Sequence, residues 1–205
     1  GGTRIPIKHL YDYFWGRSML QGARYLLGQT DHELDLYRRF GGRADQTELL
    51  PLGIEARQFQ GQPAGRAFRE KYGIQADEPL LLFVGRINYL KGIDFLVEAL
   101  AKLRHSLPGT RLMIVGRDDG YYLARLKKLI REHHLQKAVI LTGPLYDDDV
   151  FPAYAAADLF VFTPRHYEET SLACLTALAF GVPVITTEQA SIPSLENYQA
   201  GFEIK

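Results

Sequence analysis

The sequence predicts an α/β fold built on a doubly wound, Rossmann-like parallel sheet, and three observations carry that expectation. Short apolar runs recur along the last two-thirds of the 205 residues. Each is continuous rather than alternating, as a strand buried on both faces requires. Amphipathic helical stripes fill the gaps, and strands alternating with helices build βαβ units.

The elements follow in order. Lys8 to Gln21 and His32 to Phe40 read as helices, with Tyr25 to Leu27 and Glu48 to Leu50 as short strands. Two strands alone do not make a stable sheet. Residues 1–53 therefore read as the tail end of a preceding domain plus its linker, and residues 54–205 as a C-terminal domain. Gly61 to Gly65 marks a polar joint. Leu80 to Val84 is the first buried strand, and the helix after it carries Phe95, Leu96, Ala99, Leu100, Leu103 and Leu107 on one stripe. Pro108 and Gly109 end that helix. Leu112 to Val115, Ala138 to Leu141, Leu159 to Phe162 and Val182 to Ile185 are the next strands. Between them lie a stripe of Leu123, Leu126 and Ile130, another of Val150, Tyr154 and Ala157, and a helix from Ser171 to Phe180 stopped by Gly181.

Hydrophobic residues at 46% and charged residues at 23% are ordinary globular values and argue against a disordered or fibrous chain. Twenty-four Lys and Arg balance 24 Asp and Glu, so no net field draws the chain to nucleic acid or an anionic membrane. The single cysteine, Cys174, excludes an internal disulfide framework and leaves no Cys partner for zinc. No apolar stretch approaches the ~20 residues that span a bilayer. Gly1 to Ile7 lacks a signal-peptide pattern. The expectation is a cytoplasmic chain without an integral membrane segment.

Candidate chemistry gathers where predicted strands end. Gly85-Arg86-Ile87-Asn88-Tyr89-Leu90-Lys91-Gly92 follows the first strand, and ligands of open α/β sheets bind at strand carboxyl ends. Arg86 and Lys91 suit a diphosphate clamp, the one by its fork and the other as a point charge. A solvated turn is the alternative. The Gly-Lys-Ser/Thr run of a Walker loop is missing. Gly116 and Gly120 lack dinucleotide spacing. Gly116 either admits a ligand to the backbone or opens a plain turn capped by Asp118 or Asp119. Asp147 to Asp149 offers a divalent-ion motif or, as the residues favour, a cap for the helix that follows. No His pair has metal spacing, and no G-x-S-x-G elbow supports a serine hydrolase. The densest polar cluster, Thr163 to Ser171, opens a helix. Its glutamates suit sugar or ribose hydroxyls, and the amides of Ser171, Leu172 and Ala173 suit phosphate, with ordinary capping as the alternative.

Together these segments resemble the C-terminal half of a family 4 (group 1) retaining glycosyltransferase of the GT-B fold. Leu82 to Arg86 with Lys91 to Asp94 is similar to that family's Val-Gly-Arg…Glu-Lys-Gly signature. Leu112 to Gly116 fits its second strand and glycine. Ala156 to Val161 with Pro164 resembles the Ala-Ala-Asp-x-x-x-x-Pro-Ser element, and Gly181 to Ile185 the Gly-x-Pro-Val turn. Leu50 to Glu55 with Phe59 resembles the interdomain Pro-Asn-Gly-Val-Asp…Phe stretch.

The resemblance implies a nucleoside-diphosphate sugar as donor substrate and a hexosyl-type transfer with retention, in polysaccharide or glycoconjugate synthesis. It implies no metal and no cofactor. Arg86, Lys91 and Glu168 would be catalytic, the cations holding the diphosphate and Glu168 the sugar hydroxyls. Gly85, Gly116, Gly143, Leu145, Glu169, Thr170, Ser171, Leu172 and Thr176 would complete the donor site, with Gly143 to Leu145 against the nucleobase. Two positions depart from the family. Thr176 stands where the second glutamate of Glu-x7-Glu contacts the ribose, and Thr170-Ser171 replaces the usual Phe-Gly. The sugar or lipid-linked acceptor would be bound by the N-terminal domain, so the chain alone is expected to bind donor and transfer little. A longer parent is expected to be cytoplasmic or peripheral to the inner face of the membrane. A GT-B-like scaffold that has lost catalysis is the alternative reading.

Overall fold

The computed structural model describes residues 11–55, 59, 65–168, 170–190, 192 and 195–204. The chain divides into two compact units, Gly1–Gly53 and Ile54–Lys205.

In the first unit a π-helical turn, Asp12–Gly16, runs into α1, Arg17–Gly22. Strands β1 (Leu26–Gly28) and β2 (Thr47–Leu49) pair in parallel on either side of α2, Asp31–Arg39, in sequence. Helix α2 begins where its orphan amides find acceptors. Thr30 Oγ1 accepts from Glu33 N at 3.2 Å, and Glu33 Oε2 accepts from Gln29 N at 2.8 Å.

The second unit contains α3 (Gly65–Lys71), β3 (Leu80–Val84), α4 (Ile93–Leu103), β4 (Arg111–Val115), α5 (Tyr122–Glu132) and β5 (Val139–Gly143). It continues with α6 (Phe151–Ala156), β6 (Leu159–Phe162), α7 (Leu172–Ala179), β7 (Val184–Thr187) and β8 (Gly201–Ile204). Among the described residues the sheet has six strands in the order β5-β4-β3-β6-β7-β8, and every neighbouring pair is parallel. The doubly wound α/β fold is therefore present. Leu80, Leu82, Phe83, Leu112, Met113, Ile114 and Phe160 are fully buried between helical layers, which is why their runs do not alternate.

The winding reverses between β3 and β6. From β3 the chain moves out to β4 and β5, and from β6 it moves the other way to β7 and β8. Loops that leave adjacent strands in opposite directions open a crevice at the carboxyl edge. Loop 85–92 leaves β3 and loop 163–171 leaves β6, so both candidate clusters flank that crevice.

Several local expectations change. The buried face of α4 is Ile93, Leu96, Val97 and Leu100, whereas Phe95, Ala99 and Leu107 are exposed. The helix also ends at Leu103, before Pro108. Asp147–Asp149 forms a separate 3-10 turn, and the N-cap position of α6 falls to Val150, which makes no side-chain capping bond. That extra turn moves the helix start past the aspartates, so the predicted cap is not formed. Helix α3 and edge strand β8 are not anticipated by the apolar pattern of the sequence. Among the described residues no helix is long and apolar enough to cross a membrane.

Candidate functional site

Loop 85–92 is shaped by two constraints. Asn88 Oδ1 accepts from Lys91 N at 3.2 Å, starting the one-turn 3-10 helix Tyr89–Lys91. Gly92 then turns the chain into α4 with φ of 63°, and a Cβ there would lie 1.9 Å from Thr163 O. Only glycine meets both the left-handed backbone and that approach. Thr163 Oγ1 donates to Gly92 O at 3.2 Å from the β6 side, so the two loops are stitched at their roots.

This places Lys91 and Glu168 together. Lys91 Nζ lies 2.6 Å from both oxygens of Glu168, and the side chains are only 14% and 26% exposed. The ammonium also lies 5.3 Å from the centre of the Phe162 ring. Glu168 is held by its backbone, whose N–H donates to Gln189 O at 2.7 Å. Cation and carboxylate 77 residues apart in sequence thus meet across the β3/β6 crevice.

The other predicted residues fall around this pair. Arg86 turns to Asp119, with Nη1 to Oδ2 at 2.9 Å, rather than to Lys91 or Glu168. Gly85, Gly116 and Gly143 form a row across the carboxyl ends of β3, β4 and β5. Gly85 N donates to Val115 O and Gly116 N to Gly143 O, both at 3.0 Å. A Cβ on Gly116 would lie 1.8 Å from Gly85 O, so strand-to-strand approach already demands that glycine. Leu145 is partly buried against the hydrophobic core. Of the two aspartates offered as caps, Asp118 is the one that caps, since its Oδ1 accepts from Leu123 N at 3.1 Å near the start of α5.

On the β6 side, Ser171 is the N-cap of α7, its Oγ accepting from Cys174 N at 3.4 Å. Leu172 is exposed at the first turn. Thr176 lies one turn further, its hydroxyl donating to Leu172 O at 2.9 Å. Thr170 is buried, and its Oγ1 has no hydrogen-bond partner among the described residues. Burial, rather than any neighbouring charge, is the main cause that pushes the Cys174 thiol up to about 12 and leaves it unreactive. Glu169 lies outside the described residues.

One cluster has no counterpart among the motifs of the sequence. Arg165 donates to both oxygens of Asp94, at 2.7 and 2.6 Å, and to Tyr89 O at 2.7 Å. Its guanidinium carbon sits 4.0 Å from the Tyr89 ring centre and 4.1 Å from that of Phe95. The exposed Phe95 is therefore a stacking surface, not a core residue. Arg165 N also donates to Leu90 O at 2.8 Å. Burial tends to raise the Asp94 carboxyl, but the Arg165 hydrogen bonds and nearby groups outweigh it and hold the carboxyl below its ordinary range. Burial and then the Asp94 charge push the Tyr122 phenol up to about 12. The available signal was limited to a cation, Arg165, at the position of the serine in Pro-Ser.

Comparison with known proteins fits this geometry. A profile of the family described as glycosyl transferases group 1 matches residues 65–203. A D-inositol 3-phosphate glycosyltransferase of Kineococcus radiotolerans is 32% identical over 180 residues, covering 82% of this chain and 40% of the relative. A GDP-mannose-dependent alpha-(1-6)-phosphatidylinositol monomannoside mannosyltransferase of Mycolicibacterium smegmatis is 30% identical over 210 residues, covering 94% of this chain and 54% of the relative. The chain thus spans about half the length, or less, of these curated relatives. Among solved structures, Anabaena HepE in complex with UDP and glucose superposes with a TM-score of 0.75 at 21% identity, covering 89% of this chain and 50% of HepE.

Proposed function

The chain belongs to the group 1 glycosyltransferase family, and from that premise we propose that it is the donor-binding half of a retaining, metal-independent hexosyltransferase. The donor is a nucleoside-diphosphate hexose, and the acceptor belongs to polysaccharide or glycoconjugate synthesis. The observation that carries this reading is the Lys91–Glu168 pair at the reversal point of the sheet. A cation for phosphate and a carboxylate for sugar hydroxyls meet there within one hydrogen bond. The name of the Mycolicibacterium smegmatis relative, which cites GDP-mannose, and the UDP and glucose bound by HepE support the ligand class.

In this reading Lys91 and Arg86 hold the diphosphate, and the backbone of Gly143 to Leu145 lies against the base. Departure of the diphosphate leaves oxocarbenium-like charge on the sugar and negative charge on the leaving group. Fixed cations stabilise that leaving group as its charge develops, without acid–base chemistry by this chain. Glu168 orients the sugar once phosphate draws Lys91 away from it. Residues 1–53 close an N-terminal domain that binds the acceptor, and the parent enzyme works at the cytoplasmic side. The test is calorimetric titration of the chain with UDP, GDP and ADP beside the Lys91→Ala variant. Saturable binding of one nucleotide, weakened in the variant, is expected. No binding of any of the three by the folded chain overturns the reading.

A further inference from the structure

Resting on the diphosphate site just described, we propose that Asp119 is a further residue of that site, one that limits nucleotide affinity by competing with phosphate for Arg86. The loops after β3 and β4 are zipped together. Ile87 N donates to Arg117 O at 2.8 Å and Asp119 N donates to Ile87 O at 3.1 Å, forming a parallel bridge between Ile87 and Asp118. That bridge brings the Asp119 carboxylate to Arg86. Oδ2 accepts from Arg86 Nη1 at 2.9 Å and from Asn88 Nδ2 at 3.3 Å, and Asn88 starts the turn that carries Lys91. Among the described residues, Nη1 is the single Arg86 nitrogen with a partner.

Both cations of the clamp are thus held by carboxylates, but in different settings. Lys91 and Glu168 are mostly buried, whereas Arg86 and Asp119 are 57% and 38% exposed. An exposed pair is weak, so Arg86 leaves it readily when phosphate arrives. The phosphate must still compete with the carboxylate for the guanidinium, and that competition weakens diphosphate binding. Asp119 therefore limits affinity for the nucleoside-diphosphate product, which leaves after transfer and whose release often limits turnover. Asp118 beside it is committed to the start of α5 and does not touch Arg86.

The test is a double-mutant cycle read by calorimetry, using whichever of UDP, GDP and ADP the wild-type chain binds. Asp119→Asn is expected to tighten binding by about two- to fivefold at low salt, the scale of an exposed ion pair. That gain should shrink as salt screens the pair. In the Arg86→Ala background the same substitution should change affinity by less than about 1.5-fold, because the carboxylate acts through Arg86. Asp118→Asn, which retains a capping oxygen, should leave affinity unchanged. Weaker binding by Asp119→Asn overturns the proposal, since Asp119 would then orient Arg86 for phosphate. An equal gain with and without Arg86 overturns it too, since the effect would then be through space. Lys91→Ala supplies the reference: unchanged affinity there, or no binding of any of the three nucleotides by the folded wild-type chain, removes the diphosphate site itself and this proposal with it.

Discussion

Replacing Arg165 with Met should strip the site of one of the contacts that join its two loops, and the burial of the pair sets the expected size and pH dependence of the loss. Arg165 and Asp94 are 13% and 10% exposed, so the pair is close to fully removed from water. Methionine retains much of the packing between Tyr89 and Phe95 but leaves the Asp94 carboxylate buried without its cation. Breaking such a pair from one side costs about 3–5 kcal/mol. For a unit of this size that is roughly 6–20 °C in melting temperature. Removing both partners, in Asp94→Leu with Arg165→Met, leaves no buried charge and should recover most of the loss. The sign with pH follows from Asp94. In the native protein its carboxyl is held below the ordinary value, so the pair stabilises above the unfolded carboxyl pKa and the benefit is lost as pH falls through the folded one. Without Arg165 the largest influence left is burial, which raises that carboxyl, so acid relieves the penalty. The deficit of the single variant should therefore shrink between pH 7 and pH 4 in thermal denaturation followed by circular dichroism. A deficit under 2 °C at pH 7, a deficit that grows in acid, or a double variant as unstable as the single one would each refute the reasoning, on the same scale.

Three further outcomes are expected. Lys91→Ala or Arg86→Ala should cost about 1.5–3 kcal/mol of nucleotide affinity, roughly 10- to 150-fold, the scale of a charge-assisted hydrogen bond, and equal wild-type affinity in both variants would sink the assigned pocket. Glu168→Ala should weaken binding of the sugar nucleotide relative to the bare nucleotide, whose affinity should hold or rise as Lys91 is freed, in the same calorimeter; equal loss for both ligands contradicts a sugar contact. Above pH 10 the raised Tyr122 phenol predicts falling stability: its contribution is complete below the unfolded value near 10 and is lost as pH rises through about 12, so Tyr122→Phe should make the fall in alkaline melts shallower, the raised Cys174 thiol still contributing to it.

The central strands were legible because burial on both faces leaves nothing to alternate. Strand β8 fails that rule. It is an edge strand whose Phe202, Glu203 and Ile204 are exposed, so its side chains carry no core signature. Helix α3 was lost for a related reason, since only Gly65 and Phe68 of it are buried and its glycine reads as a joint. On α4 the period was right and the face partly so: Leu96 and Leu100 are buried, but hydrophobicity alone also places Phe95 in a core when it in fact stacks on a guanidinium. The Lys91 and Glu168 positions were legible from strand ends and motif spacing. Their direct pairing was not, and neither were the pairs Arg165–Asp94 and Arg86–Asp119, whose members are 71 and 33 residues apart. A lone charge in a loop has the same sequence signature whether it meets water or a partner across the sheet.

Each of the two departures from the family pattern has a local structural counterpart. Ser171 has φ of −78° and ψ of 115°, an extended conformation open to any residue, so the backbone there does not require glycine. What serine adds is a cap, taking the Cys174 amide that glycine would leave to water. At Thr176 the hydroxyl proton is already given to Leu172 O. A hydroxyl so committed presents only lone pairs outward. Toward a ribose it is thus an acceptor, as a glutamate is, but shorter by two methylenes' reach and without charge. Thr176→Glu should then strengthen nucleotide binding by the difference between a neutral and a charged acceptor, about 0.5–1.5 kcal/mol or roughly two- to tenfold. A nucleoside diphosphate with a 2′,3′-dideoxyribose should show no such gain. An equal gain for both ligands would mean that position 176 does not meet the ribose at all.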